Sequence, residues 1–187
     1  MSTVSLFGEN LHGTIETVRV EDRRAWIQSL GVVHHHVHDG QSFIAARDTG
    51  SIANNATSDV LFITGSKQCH MNHIATADGA FLLNLYENTT YTAAGTPIVA
   101  FNRLRNSSNP SLAQVSHSPT ISAVGLALPV EMVPGGNQSG GATQGQDFDR
   151  FVLHQNSVYL FRLTNVSGNP SRAVLSLSWY EPENNYA

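Results

Sequence analysis

The chain has 187 residues, of which 41% are hydrophobic and 13% are charged. Since globular proteins carry about 25% charged residues, long solvated helices are poorly supplied here, and an all-helical bundle is disfavoured. The 10 Lys and Arg residues against 14 Asp and Glu residues give a formal net charge of -4, which argues against a nucleic-acid partner. No run approaches the ~18 apolar residues of a membrane span, so we also expect no membrane partner.

The N-terminal part differs from the rest, and we predict that residues 1–32 form an arm with one short helix. The helix is expected over residues 17–30, where apolar residues lie among charged ones and Gly31 follows as a C-terminal cap. A terminal arm stays disordered unless something holds it, and a neighbouring subunit would serve. Because Arg is enriched in interface cores, the arm supplies four candidate partner-binding residues: Arg19, Arg23, Arg24 and Trp26. The start of the sequence lacks the pattern of a secretory signal peptide, so we do not expect Sec-type export.

Residues 33–187 consist of short runs rich in Val, Ile, Phe, Leu and Tyr, separated by Gly, Asn, Asp and Pro, which is typical of strands. Ten candidate strands are predicted, of which about eight are expected to form: 33–38, 42–46, 60–64, 69–75, 80–86, 98–102, 120–126, 151–154, 158–164 and 173–180. Many short strands without intervening helices indicate an antiparallel sandwich. We therefore predict an all-β fold, an antiparallel jelly-roll β-sandwich of about eight strands.

The last two candidate strands show the clearest patterns. Residues 173–180 alternate with a period of two, which places Leu175, Leu177 and Trp179 on one face in a core. Residues 158–163 are apolar on both faces, which indicates a central strand. The longest irregular stretch, residues 132–149, has five glycines and is predicted to be a loop.

The histidine run His34-His35-His36-Val37-His38 is the most unusual local feature. On a strand, His34, His36 and His38 would share one face, and their imidazoles would suit zinc, copper or nickel, with Asp39, His70 or His73 nearby. Cupin-type metalloenzymes also need a later histidine motif, which this sequence lacks. The favoured interpretation is that the three are polar residues where the arm meets the sandwich. We therefore predict no metal site, and these histidines remain candidates only.

The sequence offers little for catalysis. Cys69 is the only cysteine, and the adjacent His70 would point to the opposite face of a strand, so we expect Cys69 to be a small buried residue. Nucleophile-elbow, phosphate-loop and dinucleotide motifs are absent. We therefore predict that the protein is not an enzyme and has no cofactor.

Arg103 and Arg105 lie where an apolar run ends in turn-forming residues. Their spacing would place both on one face, and Arg pairs bidentately with carboxylates, so they are candidates for gripping a partner. The alternative, that they are ordinary surface arginines, is equally open.

Four segments carry a resemblance. They are His36-x-His38-Asp39-Gly40-x-x-Phe43, the F-N-x-x-R-N-S-S-N stretch at 101–109, G-x-x-L-P at 125–129, and L-x-x-N-x-x-Y-L-F-R-L-T-N at 153–165 followed by S-W-Y-E at 178–181. In these segments the chain resembles the jelly-roll capsid decoration, or cement, proteins of tailed bacteriophages, over roughly residues 33–182.

The resemblance implies a structural protein on the outer capsid surface of a virion. Its partners would be the major capsid protein and a second or third copy of itself, as a homodimer or homotrimer. Such a protein bridges neighbouring shell subunits, and several contacts made at once add avidity. The alternatives are a tail, collar or host-receptor binding module of the same virion and, more remotely, a cupin-like metalloenzyme using His34, His36 and His38.

Overall fold

The computed structural model describes residues 6–9, 15–18, 32–136 and 151–183. The chain divides into two compact units, Met1–Gly31 and Val32–Ala187. In the first unit, β1 (Leu6–Glu9) pairs antiparallel with β2 (Ile15–Val18). The predicted helix over residues 17–30 is therefore wrong at its start, since Thr17 and Val18 are β-branched and pair with Phe7 and Leu6 in a ladder. The rest of that prediction, with Arg19, Arg23, Arg24 and Trp26, lies outside the described residues.

The second unit contains one helix and 14 strands in the described residues. They follow in the order α1 (Val32–His38), β3 (Ser42–Ile52), β4 (Thr57–Ile63), β5 (Cys69–Ala77), β6 (Phe81–Glu87), β7 (Thr90–Ala93), β8 (Thr96–Ile98) and β9 (Phe101–Asn102). They continue with β10 (Gln114–His117), β11 (Thr120–Ala123), β12 (Leu126–Ala127), β13 (Glu131–Val133), β14 (Phe151–Leu153), β15 (Val158–Asn165) and β16 (Ser171–Tyr180).

Two antiparallel sheets form a jelly roll. The front sheet has the strand order β14-β5-β16-β3-β9, and the back sheet has the order β12-β6-β15-β4-β10-β8, with β13 also paired to β6. The first four long strands, β3 to β6, alternate between the front and back sheets, and β14 to β16 do so again. This interleaving is the jelly-roll arrangement. The predicted fold class is confirmed.

The core lies between the sheets and is filled by alternate side chains from each strand. Ala173, Leu175, Leu177 and Trp179 of β16 all point inward, as the alternation predicted. Trp179 packs edge-on against Phe62 of the back sheet, with ring centroids 5.1 Å apart. The central position of β15 is confirmed, because it lies between β4 and β6.

The middle of the outer side of the back sheet is covered by the chain itself. Leu61 and Leu160 face outward opposite each other, yet both are fully buried. From the end of β6 the chain runs through β7 to β8 at the far edge, and from β10 it returns through β11 to β12. The paired β7–β11 ribbon thus crosses over this face, and the hydroxyl of Thr89 donates to the carbonyl of Val124 to hold the two crossings together.

Three predicted boundaries are wrong because the chain changes sheet or turns sharply. The predicted strand 98–102 is two strands, since β8 belongs to the back sheet and β9 to the front sheet. The predicted strand 120–126 breaks at Gly125, whose φ is 89° and whose added Cβ would lie 2.1 Å from the carbonyl oxygen of Glu87. The predicted loop 132–149 begins inside β13, because Val133 is buried in the core. Residues 137–149 lie outside the described part.

Candidate functional site

The histidine run forms the helix α1, and the predicted strand 33–38 is wrong. The helix ends in a paired bond pattern: the Gly40 amide donates to the Val37 carbonyl (3.1 Å), and the Gln41 amide donates to the His36 carbonyl (2.9 Å). Gly40 has a φ of 68°, the left-handed conformation that closes helices in this way. Because helical side chains three to four residues apart share a face, His34 and His38 come together and His36 lies elsewhere. The shared face that a strand would have given to His34, His36 and His38 is therefore not formed.

His36 attaches the helix to the front sheet. Its ring stacks on Tyr180 of β16 with centroids 4.3 Å apart, and Tyr180 stacks in turn on His70 of β5 at 4.5 Å. The hydroxyl of Tyr180 lies 2.9 Å from Nδ1 of His70, and Nδ1 of His36 lies 3.0 Å from Oε1 of Gln41. Partial burial lowers the pKa of His36. The ring therefore favours its neutral, stacked state.

The outward side of α1 carries two pairs of side chains four residues apart. Nε2 of His34 lies 2.9 Å from Nε2 of His38, and the two exposed rings stack with centroids 4.8 Å apart. Nδ1 of His35 lies 2.8 Å from Oδ2 of Asp39. The ligand atoms of His35, His36 and Asp39 all lie within 4.8 Å of one another. The helix thus presents several metal-ligating groups to solvent.

The middle of the outer side of the front sheet carries no charged side chain and is partly exposed. Its cross-strand rows include Phe101–Ile44–Ser178–Asn72 and Ala46–Ser176–Ile74. Ile44, Ile74, Phe101 and Val152 are 40–51% exposed, which is unusual for large apolar side chains on one surface. We name this surface the exposed front face and define it by ten residues: Ile44, Ala46, Asn72, Ile74, Thr76, Phe101, Val152, Val174, Ser176 and Ser178.

Charges border the exposed front face at one end, and they neutralise each other there. The guanidinium of Arg172 donates from Nε to Oδ1 of Asp48 at 2.7 Å, and its Nη2 contacts Oδ2. This pairing holds the pKa of the Asp48 carboxyl well below its usual range. The opposite end is closed by the His36–Tyr180–His70 stack. None of the ten residues between these two ends is ionisable.

The first two segments that carry the resemblance meet at Asn102. Its Nδ2 donates to the Gly40 carbonyl (2.8 Å) and to the Asn109 carbonyl (3.0 Å), while its Oδ1 accepts from the Leu104 amide (2.9 Å). The Asn109 amide donates to Oγ of Ser107 (3.1 Å). These residues tie the loop after β9 to the end of α1, so their role in the structure is to hold the backbone in place.

Arg103 and Arg105 lie in this loop and not on a strand. Arg105 donates from Nη1 to the Asn102 carbonyl at 3.1 Å, and its guanidinium lies 5.5 Å from the ring centroid of Phe101. Both arginines are exposed. Arg105 therefore lies beside the exposed front face, and the role of the two residues in partner binding stays a prediction.

The closing S-W-Y-E segment ends in a buried carboxylate. Glu181 is 4% exposed and accepts four hydrogen bonds. Its Oε1 accepts from Oγ of Ser111 (2.6 Å), the Ala113 amide (3.2 Å) and Nε1 of Trp179 (3.0 Å), and its Oε2 accepts from the Leu112 amide (3.0 Å). This carboxylate fastens the segment before β10 to the end of β16.

Two further groups of chemical interest lie in the interior. Cys69 is buried, as predicted, and burial raises the pKa of its thiol. His73 is 3% exposed, and its Nε2 lies 3.2 Å from Oε1 of Glu131, so that a polar contact bridges β5 of the front sheet and β13 of the back sheet.

Comparison of the chain with protein-family models, with curated proteins and with solved structures gives no match in any of the three. Within the described residues, no helix is long and apolar enough to span a membrane.

Sequence reasoning missed the residues that border the exposed front face. Tyr180 and Gln41 were not singled out, although Tyr180 continues the period-two pattern of β16 on its outward side. The exposed side chains of that face were also missed, because alternation shows which residues are inside and does not show whether the outer face is covered.

Proposed function

We propose that this chain is a structural virion protein that decorates the outer surface of a tailed-phage capsid and cements neighbouring major capsid protein subunits. The proposal rests on the resemblance of residues 33–182 to such proteins and on one structural observation. The chain's own ribbon covers the middle of one outer face of the jelly roll, whereas the ten residues of the exposed front face include no ionisable side chain and leave Ile44, Ile74, Phe101 and Val152 40–51% exposed.

An exposed sheet face of this composition suits docking on another protein. Burial of its apolar side chains away from water is favourable, and the Ser, Asn and Thr side chains between them can supply hydrogen bonds to the partner. No ionisable side chain among its ten residues has to be desolvated, which removes a large cost of burial. We assign this face to the major capsid protein, and we propose that self-association as a dimer or trimer uses other parts of the chain.

Binding to depleted particles tests the assignment. Virions of the phage that encodes the chain are prepared without it, and the purified full chain is added back. We expect the Ile74→Asp and Ile44→Asp variants to lose binding, because each places a charge in the centre of the docked surface. Leu126→Asp is the matched control, since Leu126 is 61% exposed but lies on β12 of the back sheet.

If Ile74→Asp, Ile44→Asp and Leu126→Asp all bind like the wild type, the exposed front face is not the docking surface. Far-UV circular dichroism confirms that each variant is folded. Copy number separates the proposal from a tail, collar or receptor-binding role. A decoration protein is present on the order of hundreds of copies per particle because it follows the many identical shell subunits, whereas a tail component is far rarer.

A further inference from the structure

We propose that His34 and His38 of α1 form a two-histidine chelate for a divalent transition metal ion of the copper and nickel class. The inference is independent of the proposed function and concerns the helix, not the exposed front face. It starts from the 2.9 Å separation between Nε2 of His34 and Nε2 of His38.

The separation is already close to that of two ligands of one metal ion. With metal–nitrogen bonds of about 2.0–2.1 Å, two nitrogen atoms 2.9 Å apart subtend about 90° at the metal. That is the angle between neighbouring ligands in square-planar and octahedral complexes, which Cu²⁺ and Ni²⁺ prefer. Tetrahedral zinc would need the nitrogen atoms about 3.3 Å apart. The pair therefore favours Cu²⁺ and Ni²⁺ over Zn²⁺.

The chemistry of the pair is also suitable. In the metal-free helix, one Nε2–H donates to the lone pair of the other Nε2. When the ion binds, both neutral rings carry their protons on Nδ1, and both Nε2 lone pairs face the metal. The remaining coordination positions are open to water, because both side chains are exposed.

The helix holds the two rings in register. His36 is stacked on Tyr180, and the Gly40 turn fixes the end of α1 against Asn102. His34 and His38 do not have to be brought together by the ion, so little ordering cost accompanies binding. The neighbouring group His35, His36 and Asp39 is less suitable, because the ring of His36 is partly buried and stacked on Tyr180.

Titration calorimetry with NiCl₂ on the full chain, purified without a polyhistidine tag, tests the proposal. We expect one Ni²⁺ per chain and weaker binding of Zn²⁺. His34→Gln and His38→Gln should each weaken Ni²⁺ binding by more than about tenfold, since loss of even an outer-shell partner of a ligand costs that much. The Cu²⁺ electron paramagnetic resonance spectrum should show coupling to two nitrogen atoms in the wild type and to one in each variant.

His35→Gln is the matched control, because His35 is exposed on the same helix and is paired with Asp39. It should leave the affinity and the two-nitrogen spectrum unchanged. His154→Gln controls for exposed histidines elsewhere. The proposal is overturned if the wild type shows no saturable Ni²⁺ binding, or if His35→Gln weakens binding as much as His34→Gln does. All four positions are exposed, so circular dichroism should report wild-type folding in each variant.

Discussion

The Glu181 carboxylate is buried, and it and its four hydrogen-bond donors satisfy one another away from water. Removing it leaves the amides of Leu112 and Ala113, the hydroxyl of Ser111 and the indole N–H of Trp179 without this acceptor. A buried donor that loses its acceptor costs about 1–3 kcal/mol. Glu181 is therefore a residue whose loss weakens the fold without touching either proposed binding surface.

We expect Glu181→Ala to lower the free energy of unfolding by about 3 kcal/mol or more, measured by urea denaturation. Glu181→Gln should cost less, because its amide oxygen can keep the three bonds to Oε1. Glu183→Ala is the control, since Glu183 is exposed, and it should have little effect. Similar losses for Glu181→Ala and Glu183→Ala would show that the carboxylate does not fasten this part of the chain.

For single residues, the sequence predicted which side chains face the core better than it predicted their hydrogen-bond partners. Alternation alone identified Leu175, Leu177 and Trp179 as core residues. It did not identify the partner of Trp179, because Glu181 next to a strand end is an ordinary surface residue by type. Its burial depends on the segment before β10, which is about 70 residues away in sequence.

The helix α1 shows why a short histidine-rich run is hard to assign from sequence. The alternation in residues 33–38 is compatible with a strand, but six residues are too few for periodicity to distinguish a strand from a helix. Gly40 closes the helix in the left-handed conformation. A glycine at this position does not by itself predict a helix, because Gly50 has a similar φ within β3.

We expect Gly40→Ala to destabilise the protein more than Gly50→Ala, by about 1 kcal/mol or more. The two glycines have φ values of 68° and 66°, so the backbone cost of a side chain is matched. The two positions differ in the free volume around the glycine. An added Cβ would lie 2.6 Å from Oγ of Ser107 at Gly40 and would contact nothing at Gly50. Thermal unfolding of the two variants measures the difference.

Ser107→Ala provides a second check on the same contact. Gly40→Ala should cost less in the Ser107→Ala background, because the obstructing hydroxyl is gone. Equal costs of Gly40→Ala and Gly50→Ala, together with no coupling to Ser107, would contradict the close packing of the α1 turn against the loop after β9.

Among the strands, length and apolar content decided what could be predicted. β15 and β16 are long and regular, and both were predicted within two residues of their observed bounds. β7, β10 and β13 are three or four residues long and were missed. Gln114–His117 has only one apolar residue, and it is a strand because β4 and β8 pair with it on both sides. Such strands are set by tertiary pairing and not by local sequence.

At the scale of the whole molecule, the jelly roll follows from strands that alternate between two sheets. The predicted class rested on the number of short strands and the lack of helices between them, which were sufficient for the architecture. The difference in burial between the outward side chains of the two sheets was not predictable. It depends on the path of the β7–β11 ribbon, and that path follows from long-range pairings of residues whose sequence is typical of turns.

The ribbon and the exposed front face together suggest a division of roles. The ribbon buries Leu61 and Leu160 in the middle of the back sheet's outer side, whereas Leu126 and Met132 stay exposed on the strands at its edge. The front side leaves Ile44, Ile74, Phe101 and Val152 exposed, and under the proposed function these side chains contact the shell. A rigid sandwich that docks by one face and contacts neighbouring copies elsewhere bridges shell subunits, and several weak contacts then act together.

The most direct test of this account is the temperature at which shells rupture. Particles lacking the protein are compared with the same particles to which the wild-type chain or the Ile74→Asp variant has been added back, with DNA release followed by dye fluorescence. We predict that the wild-type chain raises the rupture temperature and that Ile74→Asp does not. The same rupture temperature with and without the wild-type chain would contradict the account.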